Sequence, residues 1–166
     1  MKGISRMKEA MEKVSDRSKG FVVRPVKITD REGWGDLYRG YAAFYMVEQT
    51  AEMRERVWSW IHDATAECEG LVAESANGEL LGIAHFRSFA RPLSATIGGF
   101  LDDLFVAPDA RGMGVGDALI EGVRAISLER GWSVLRWITA DNNYRGRAVY
   151  DRVASKTDWV TYDIKL

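Results

Sequence analysis

The spacing of apolar residues along this chain changes several times, and each change marks an element. Residues 21–28, with Phe21, Val22, Val23, Val26 and Ile28, read as a strand, with Pro25 predicting an edge or a bulge. Thr29 or Asp30 can cap the next stretch. There Trp34, Leu37, Tyr38, Tyr41, Phe44 and Tyr45 recur at three- and four-residue steps, the period of a helix. Met53, Val57, Trp60 and Ile61 predict a second helix. Residues 71–75 and 80–86 read as strands flanking Asn77 and Gly78, a pair that tolerates positive φ and predicts a hairpin turn. Residues 99–106 form the next strand. Val115, Leu119, Val123 and Ile126 then line one helix face, with Ala118 and Gly122 beside them and Gly131 as the left-handed cap. Residues 132–138 predict a strand, 142–154 a helix and 159–164 a closing strand.

That order, β, α, α, β, β, β, α, β, α, β, contains no repeat and no linker. Residues 21–166 are therefore expected to be one α/β domain, with residues 1–20 as a charged N-terminal extension, flexible or helical. The extension lacks the apolar run of a secretory signal. Of the 166 residues, 46% are apolar, enough for a proper core, and the net charge of −1 gives no case for a nucleic-acid or membrane partner. No apolar run approaches the roughly 20 residues that span a bilayer. The single cysteine, Cys68, excludes an internal disulfide framework and a cysteine-rich zinc site, and His62 and His85 have no metal spacing. A cytoplasmic setting is the expectation.

The candidate chemistry gathers around residues 101–120. The strand-like Leu104, Phe105 and Val106 stop at Pro108, and a glycine-dense turn, Arg111 to Gly116, leads straight into a helix. Gly112, Gly114 and Gly116 leave backbone N–H groups uncovered at a helix start, which suits a phosphate. Glycines at such a junction also serve close packing. The turn is not a dinucleotide fingerprint, because position 117 is Asp, and it is not a P-loop, because no Lys followed by Ser or Thr comes after it.

What remains is R-x-x-G-x-G, at Arg111, Gly114 and Gly116. This stretch resembles the acyl-CoA signature of the GNAT superfamily of N-acetyltransferases. A second motif agrees: Asn143, Gly146 and Tyr150 stand where that family has Asn, a small residue and Tyr on a later helix. Two features depart from the family pattern. Gly146 replaces the usual Ala or Ser, and Thr157, Asp158 and Trp159 replace a Gly-Phe, so the last turn is expected to be reshaped. The likeness spans residues 21–166 and comes nearest the branch acting on polyamines, diamines, thialysine or histone tails, which also carries an acidic pair before the strand.

The resemblance implies a single-domain fold with a mixed central sheet of about six or seven strands flanked by about four helices. It implies acetyl-CoA as co-substrate. The loop from Arg111 through Gly112, Met113, Gly114, Val115 and Gly116 to Asp117 would hold the pyrophosphate, Leu104, Phe105 and Val106 the pantetheine, and Asn143 the pantetheine or adenosine portion. Asn143 can equally serve to order its helix start.

Amide formation requires a neutral amine, a donor for the oxyanion and a proton for the departing thiolate. A lysine-like amine has a pKa of about 10, so its proton must be accepted on the way. Asp102 and Asp103 are neighbours on a strand and are expected to face opposite sides. Carried over from the branch, Asp102 stands ahead of Asp103 as the proton acceptor, through water or with a pKa raised by burial, and Asp103 is the electrostatic contact to the amine; which of the two is the base stays open at this point. Tyr150 is the candidate general acid, since a phenol of pKa about 10 is protonated at neutral pH. The backbone N–H of Phe105 is the expected oxyanion donor.

Tyr41, Tyr45 and Glu48 fall at i, i+4 and i+7, an aromatic and acidic face that suits an ammonium ion and also suits simple core packing. The expectation is acetyl transfer from acetyl-CoA to a primary amine (a polyamine, diamine, amino acid or lysine-like amine) by direct attack, in a homodimer. Cys68 lies far in sequence from both motifs, which disfavours a covalent acyl-enzyme. Other acyl-CoA donors, peptide N-termini or aminoglycosides as acceptors, and a non-catalytic acyl-CoA sensor stay open at this point.

Overall fold

In the computed structural model, which describes residues 20–166, strand β1 (Phe21–Pro25) opens a five-stranded sheet. It continues with β2 (Glu69–Ser75), β3 (Leu80–Arg91), β4 (Thr96–Val106) and β5 (Leu135–Arg136), in that spatial order. The first four strands pair antiparallel, and β5 joins β4 in parallel at Gly99 and Phe100. Apart from Gly20, the expected N-terminal extension lies outside the described residues.

Helices α1 (Arg31–Phe44) and α2 (Ala51–His62) cover one face of the sheet. Helices α3 (Val115–Glu129) and α4 (Tyr144–Val153) cover the other. The apolar period of α3 does what it predicts: Val115, Leu119, Val123 and Ile126 are each at most 1% exposed, packed on Leu71, Ala73 and Phe86. Burying such a side chain fully is worth about 1.5–3 kcal/mol, so this row fixes the helix to the sheet. On the opposite face Trp34, Leu37 and Trp58 close over Val72, Ile83 and Phe105. Gly40 lets α1 come close, because a Cβ there would lie 2.9 Å from the ring of Phe105.

The sheet has five strands where six or seven were expected. Of residues 132–138 only Leu135 and Arg136 pair. Residues 159–164 form no strand, although Trp159, Val160, Tyr162 and Ile164 alternate in character; all four are more than 70% exposed. Alternation gives a segment the capacity to be a strand, but a strand also needs a partner, and this segment pairs with none among the described residues.

Candidate active site

Past Phe100, β5 no longer pairs with β4, so β4 has an open edge from Leu101 to Val106. Which amides face that edge follows from the ladder on the other side. The N–H of Ala107 donates to the carbonyl of Leu81 at 2.9 Å. Alternation then turns the N–H of Phe105 toward β3 and those of Leu104 and Val106 toward the opening. The oxyanion donor expected at Phe105 is therefore taken by the sheet, and Leu104 and Val106 hold the free amides. Leu104, Phe105 and Val106 line a cleft of about 600 Å³.

The glycine turn closes one end of this cleft. Gly112 and Gly114 have φ of +83° and +80°, a region that favours glycine, and Gly114 is the N-cap of α3. The first helical bond runs from the N–H of Ala118 to the carbonyl of Gly114 at 3.0 Å, which leaves the N–H groups of Val115, Gly116 and Asp117 without helical partners. Nothing lies within 4 Å of a Cβ built at Gly114, so the space before these amides is open. Arg111, Arg145 and Arg152 line the same cleft. Arg152 donates to Asp117 at 3.0 Å and offsets its charge. Free amides, a helix N-terminus and excess positive charge fit the pyrophosphate of CoA. Met113 departs from the expectation: it is 49% exposed and does not line the cleft. Arg152 escaped the sequence reading, because only the packing of α4 beside α3 brings it there.

Asn143 lines the cleft and is also the N-cap of α4. Its Oδ1 accepts from the N–H of Gly146 at 3.1 Å, and its Nδ2 donates to Thr139 Oγ1 at 2.9 Å. This explains the unusual Gly146, since a Cβ there would sit 2.5 Å from Asn143 Nδ2. Two turns along the helix, Tyr150 reaches the cleft with its ring 5.5 Å from Trp137 in a T-shaped contact. Burial, reinforced by neighbouring Tyr45, pushes the Tyr150 phenol above its ordinary range and keeps it protonated.

The acidic pair does not alternate as expected. Between β3 and β4 the register passes from His85 opposite Asp103 to Phe86 opposite Leu101, so Asp102 is the extra residue of a β-bulge. The contacts show the result. Asp103 pairs with His85 and Asp102 with Arg87, two residues on the same face of β3. Both carboxylates therefore face the side covered by α1 and α2.

Their environments differ. Burial alone would raise Asp103, but hydrogen bonding from His85, Tyr41 and Tyr38 outweighs it and holds the carboxyl below its usual range. The same burial, together with Asp103, pushes the phenols of Tyr38 and Tyr41 up. Asp102 goes the other way: burial and the charge of Asp103 raise it, and Arg87 only partly opposes them. Cys68 stands near both acids, and burial pushes its thiol up to about 12, so it is no ready nucleophile.

Of the expected aromatic face, Tyr41 and Tyr45 line the cleft and Glu48 does not. Helix α1 ends at Phe44, Tyr45 is its C-cap, and Met46 turns left-handed at φ 55°. The i+7 position of Glu48 therefore never forms, and Glu48 is exposed in the loop. His85, which has no metal spacing in the sequence, is 1% exposed and hydrogen-bonded to both Trp34 and Asp103. No spacing in the sequence announces that contact, because the ladder register creates it. Among the described residues no cluster of His, Cys, Asp and Glu can hold a metal ion, and no helix is long and apolar enough to cross a membrane.

A family model of the acetyltransferase (GNAT) family matches residues 34–154. The chain is 30% identical over 155 residues to the D-amino-acid N-acetyltransferase HPA3 of Saccharomyces cerevisiae, covering 93% of this chain and 94% of that one. A shorter stretch of 57 residues is 33% identical to the thialysine N-epsilon-acetyltransferase of Bos taurus, covering 34% of each chain. Among solved structures, a ribosomal-protein-alanine N-acetyltransferase from Brucella melitensis superposes with a TM-score of 0.74 at 25% identity, covering 88% of this chain and 99% of that one. The aminoglycoside N-acetyltransferase AAC(6')-Iy in complex with CoA shares the fold, with a TM-score of 0.76 at 20% identity, covering 87% of this chain and 94% of that one.

Proposed function

The chain belongs to the GNAT acetyltransferase family and is an acetyl-CoA-dependent N-acetyltransferase; from that premise we propose that it acetylates a small primary amine by direct attack in a ternary complex. One observation carries this reading. A single cleft is lined both by the anion cradle of α3 and by Tyr150 and Tyr41, and Tyr41 in turn hydrogen-bonds Asp103.

The geometry supports the following roles. The amides of Val115, Gly116 and Asp117, with Arg111 and Arg145, bind the pyrophosphate portion. The open edge of β4 takes the pantetheine as an added strand, and a free amide there, Leu104 or Val106, donates to the carbonyl oxygen. Asp103, held ionised, attracts the ammonium form of the acceptor. Asp102, the carboxylate with the raised pKa, takes the amine proton, directly or through water. The neutral amine nitrogen then bonds to the acetyl carbonyl carbon, the C–S bond breaks, Tyr150 gives its proton to the sulfur, and the second proton lost by the nitrogen restores the phenol. The high thiol pKa of Cys68 supports direct attack over a covalent acyl-enzyme.

Among primary amines, an amino acid heads the proposal. The relative that spans almost the whole chain is named for D-amino acids, and Arg87 beside the acidic pair offers a cation to a carboxylate. The test is release of free thiol from acetyl-CoA over D- and L-amino acids, diamines, polyamines and lysine peptides. Tight CoA binding without turnover on any of them would overturn the enzymatic reading in favour of an acyl-CoA-binding sensor.

We propose further that the protein acts in the cytoplasm as a homodimer and needs no nucleic acid or membrane. The net charge of −1 and the lone cysteine support the setting, and the exposed apolar residues of 159–166 support self-association. Sedimentation showing only monomer at micromolar concentration would remove the dimer.

A further inference from the structure

Resting on the reading above, we propose that His85, fixed by Trp34, is a positioning residue for acetyl transfer: it holds the Asp103 carboxylate aimed at the acceptor side of the site. The chain of bonds starts from a donor that cannot accept. An indole has only an N–H to offer, and that of Trp34 lies 2.8 Å from His85 Nε2. Nε2 must then be the acceptor, so the ring proton sits on Nδ1. Nδ1 is 2.8 Å from Asp103 Oδ2, and its N–H points the only way left to it. The order is fixed from end to end: indole to imidazole, imidazole to carboxylate.

The surroundings suit a rigid support. Trp34 is 2% exposed and His85 1%, so water does not compete for either bond. The indole is wedged between Trp58 and Tyr38, with ring centroids 5.0 and 5.1 Å away. The titratable groups around His85 come from every neighbouring element. They are Tyr38 on α1, 4.9 Å away edge-on, with Tyr41 beyond it, Asp103 and Asp102 on β4, Cys68 before β2 and Arg87 on β3. Asp103 uses one acceptor position on His85. Its other positions remain for the tyrosine hydroxyls and an incoming ammonium group. A carboxylate without this anchor would be free to rotate out of line, and a role of this kind is distinct from packing, which an aliphatic residue would also supply.

Two measurements test the proposal. The protein has two histidines, so the long-range nitrogen–proton spectrum of the full chain at neutral pH is readily assigned with His62→Gln. The expected signature for His85 is a protonated Nδ1 and a bare Nε2; a proton on Nε2 would overturn the inference without touching the proposed activity. The second measurement is steady-state turnover of acetyl-CoA with D-phenylalanine, L-lysine and spermidine in turn. Relative to the wild type, His85→Leu is expected to lower kcat/KM for the amine about tenfold or more, with KM for acetyl-CoA changed by less than about twofold. His85→Asn places an amide N–H where Nδ1–H stands and should recover most of that loss. Trp34→Phe, which keeps the ring packing, should fall between them and carries the kinetic test if His85→Leu does not fold. Wild-type amine kinetics in the variants, or no recovery by His85→Asn, would sink the positioning role while leaving the acetyltransferase reading intact. No turnover by the wild type on any amine sinks that reading, and this inference with it.

Discussion

Arg87 holds its guanidinium 3.3 Å from the carboxylate of Asp102, across the bulge that separates Asp102 from Asp103. Burial raises the Asp102 pKa, Asp103 adds to it, and Arg87 is the counterweight. If Asp102 accepts the amine proton, kcat/KM rises as pH climbs through its folded pKa, which lies above the ordinary carboxylate range. Arg87→Gln removes the counterweight, so that pKa rises further and the acid limb of the profile moves to higher pH. The alkaline limb, set by other groups, should stay in place. The profiles of wild type and variant with acetyl-CoA and one amine decide the matter, and an acid limb that does not move takes Asp102 out of the role.

Tyr150 sits in the cleft with its phenol kept protonated by burial and by Tyr45. Proton donation by a placed side chain typically contributes at least about a hundredfold. Tyr150→Phe should therefore lower kcat by about that factor. It should leave the affinity for acetyl-CoA nearly unchanged, because the ring and its contact with Trp137 remain. Equilibrium binding and turnover measured on the same preparation separate the two. Unchanged turnover would assign the proton to water.

The cradle at Gly114 makes a different demand. Its φ of +80° is unfavourable for any side chain, and a Cβ built there meets nothing within 4 Å, the open space that the proposed site assigns to the pyrophosphate. Gly114→Ala should cost about 1 kcal/mol of stability from backbone strain and weaken CoA binding modestly. Gly114→Trp should abolish CoA binding, since an indole fills the cradle. Calorimetric titration with CoA reads both, and wild-type affinity in the tryptophan variant would show that the phosphates lie elsewhere.

The parts of this site that the sequence made legible are those set by local backbone demands. The glycine turn at Gly114 is readable from its own spacing, whereas Asn143, Gly146 and Tyr150 stand out through their resemblance to the family's motif. The apolar row of α3 was equally plain, because a helix face buried on a sheet leaves a strict period. What escaped was set by long-range register. One residue of bulge at Asp102 turned both acids to one face, and the regular pairing of β4 with β3 beyond it turned the Phe105 amide into the sheet and left those of its neighbours free. The Trp34–His85 bond joins residues 51 apart in sequence and leaves no trace in either segment. Glu48 failed for a local reason that is hard to read, a helix ending at Phe44 without a glycine to mark it. The expected last strand failed because strandhood belongs to a pair of segments, and alternation describes only one of them.

Away from the site, Asp30 anchors the entry to α1 and carries a pH dependence of its own. Arg24 grips it with two bonds of 2.6 and 2.9 Å, the N–H of Lys27 adds a third at 2.7 Å, and Glu74 holds the other side of Arg24. Side chains of Arg24 and Asp30 are 14% and 8% exposed, so the charges depend on each other more than on water. Burial alone would raise Asp30, but Arg24 and Lys27 outweigh it and the folded pKa is depressed. A depressed carboxyl stabilises the fold fully above its unfolded pKa of about 3.9 and loses that contribution as pH falls through the lower folded value. Asp30→Asn should therefore destabilise by about 3 kcal/mol at pH 7, chiefly by leaving Arg24 short of a partner. Urea unfolding across pH should show a constant gap between wild type and variant down to about pH 5, closing below it as Asp30 takes up its proton. A gap that persists unchanged at pH 2.5 would mean that Asp30 contributes shape and hydrogen bonding there, and that its charge contributes little.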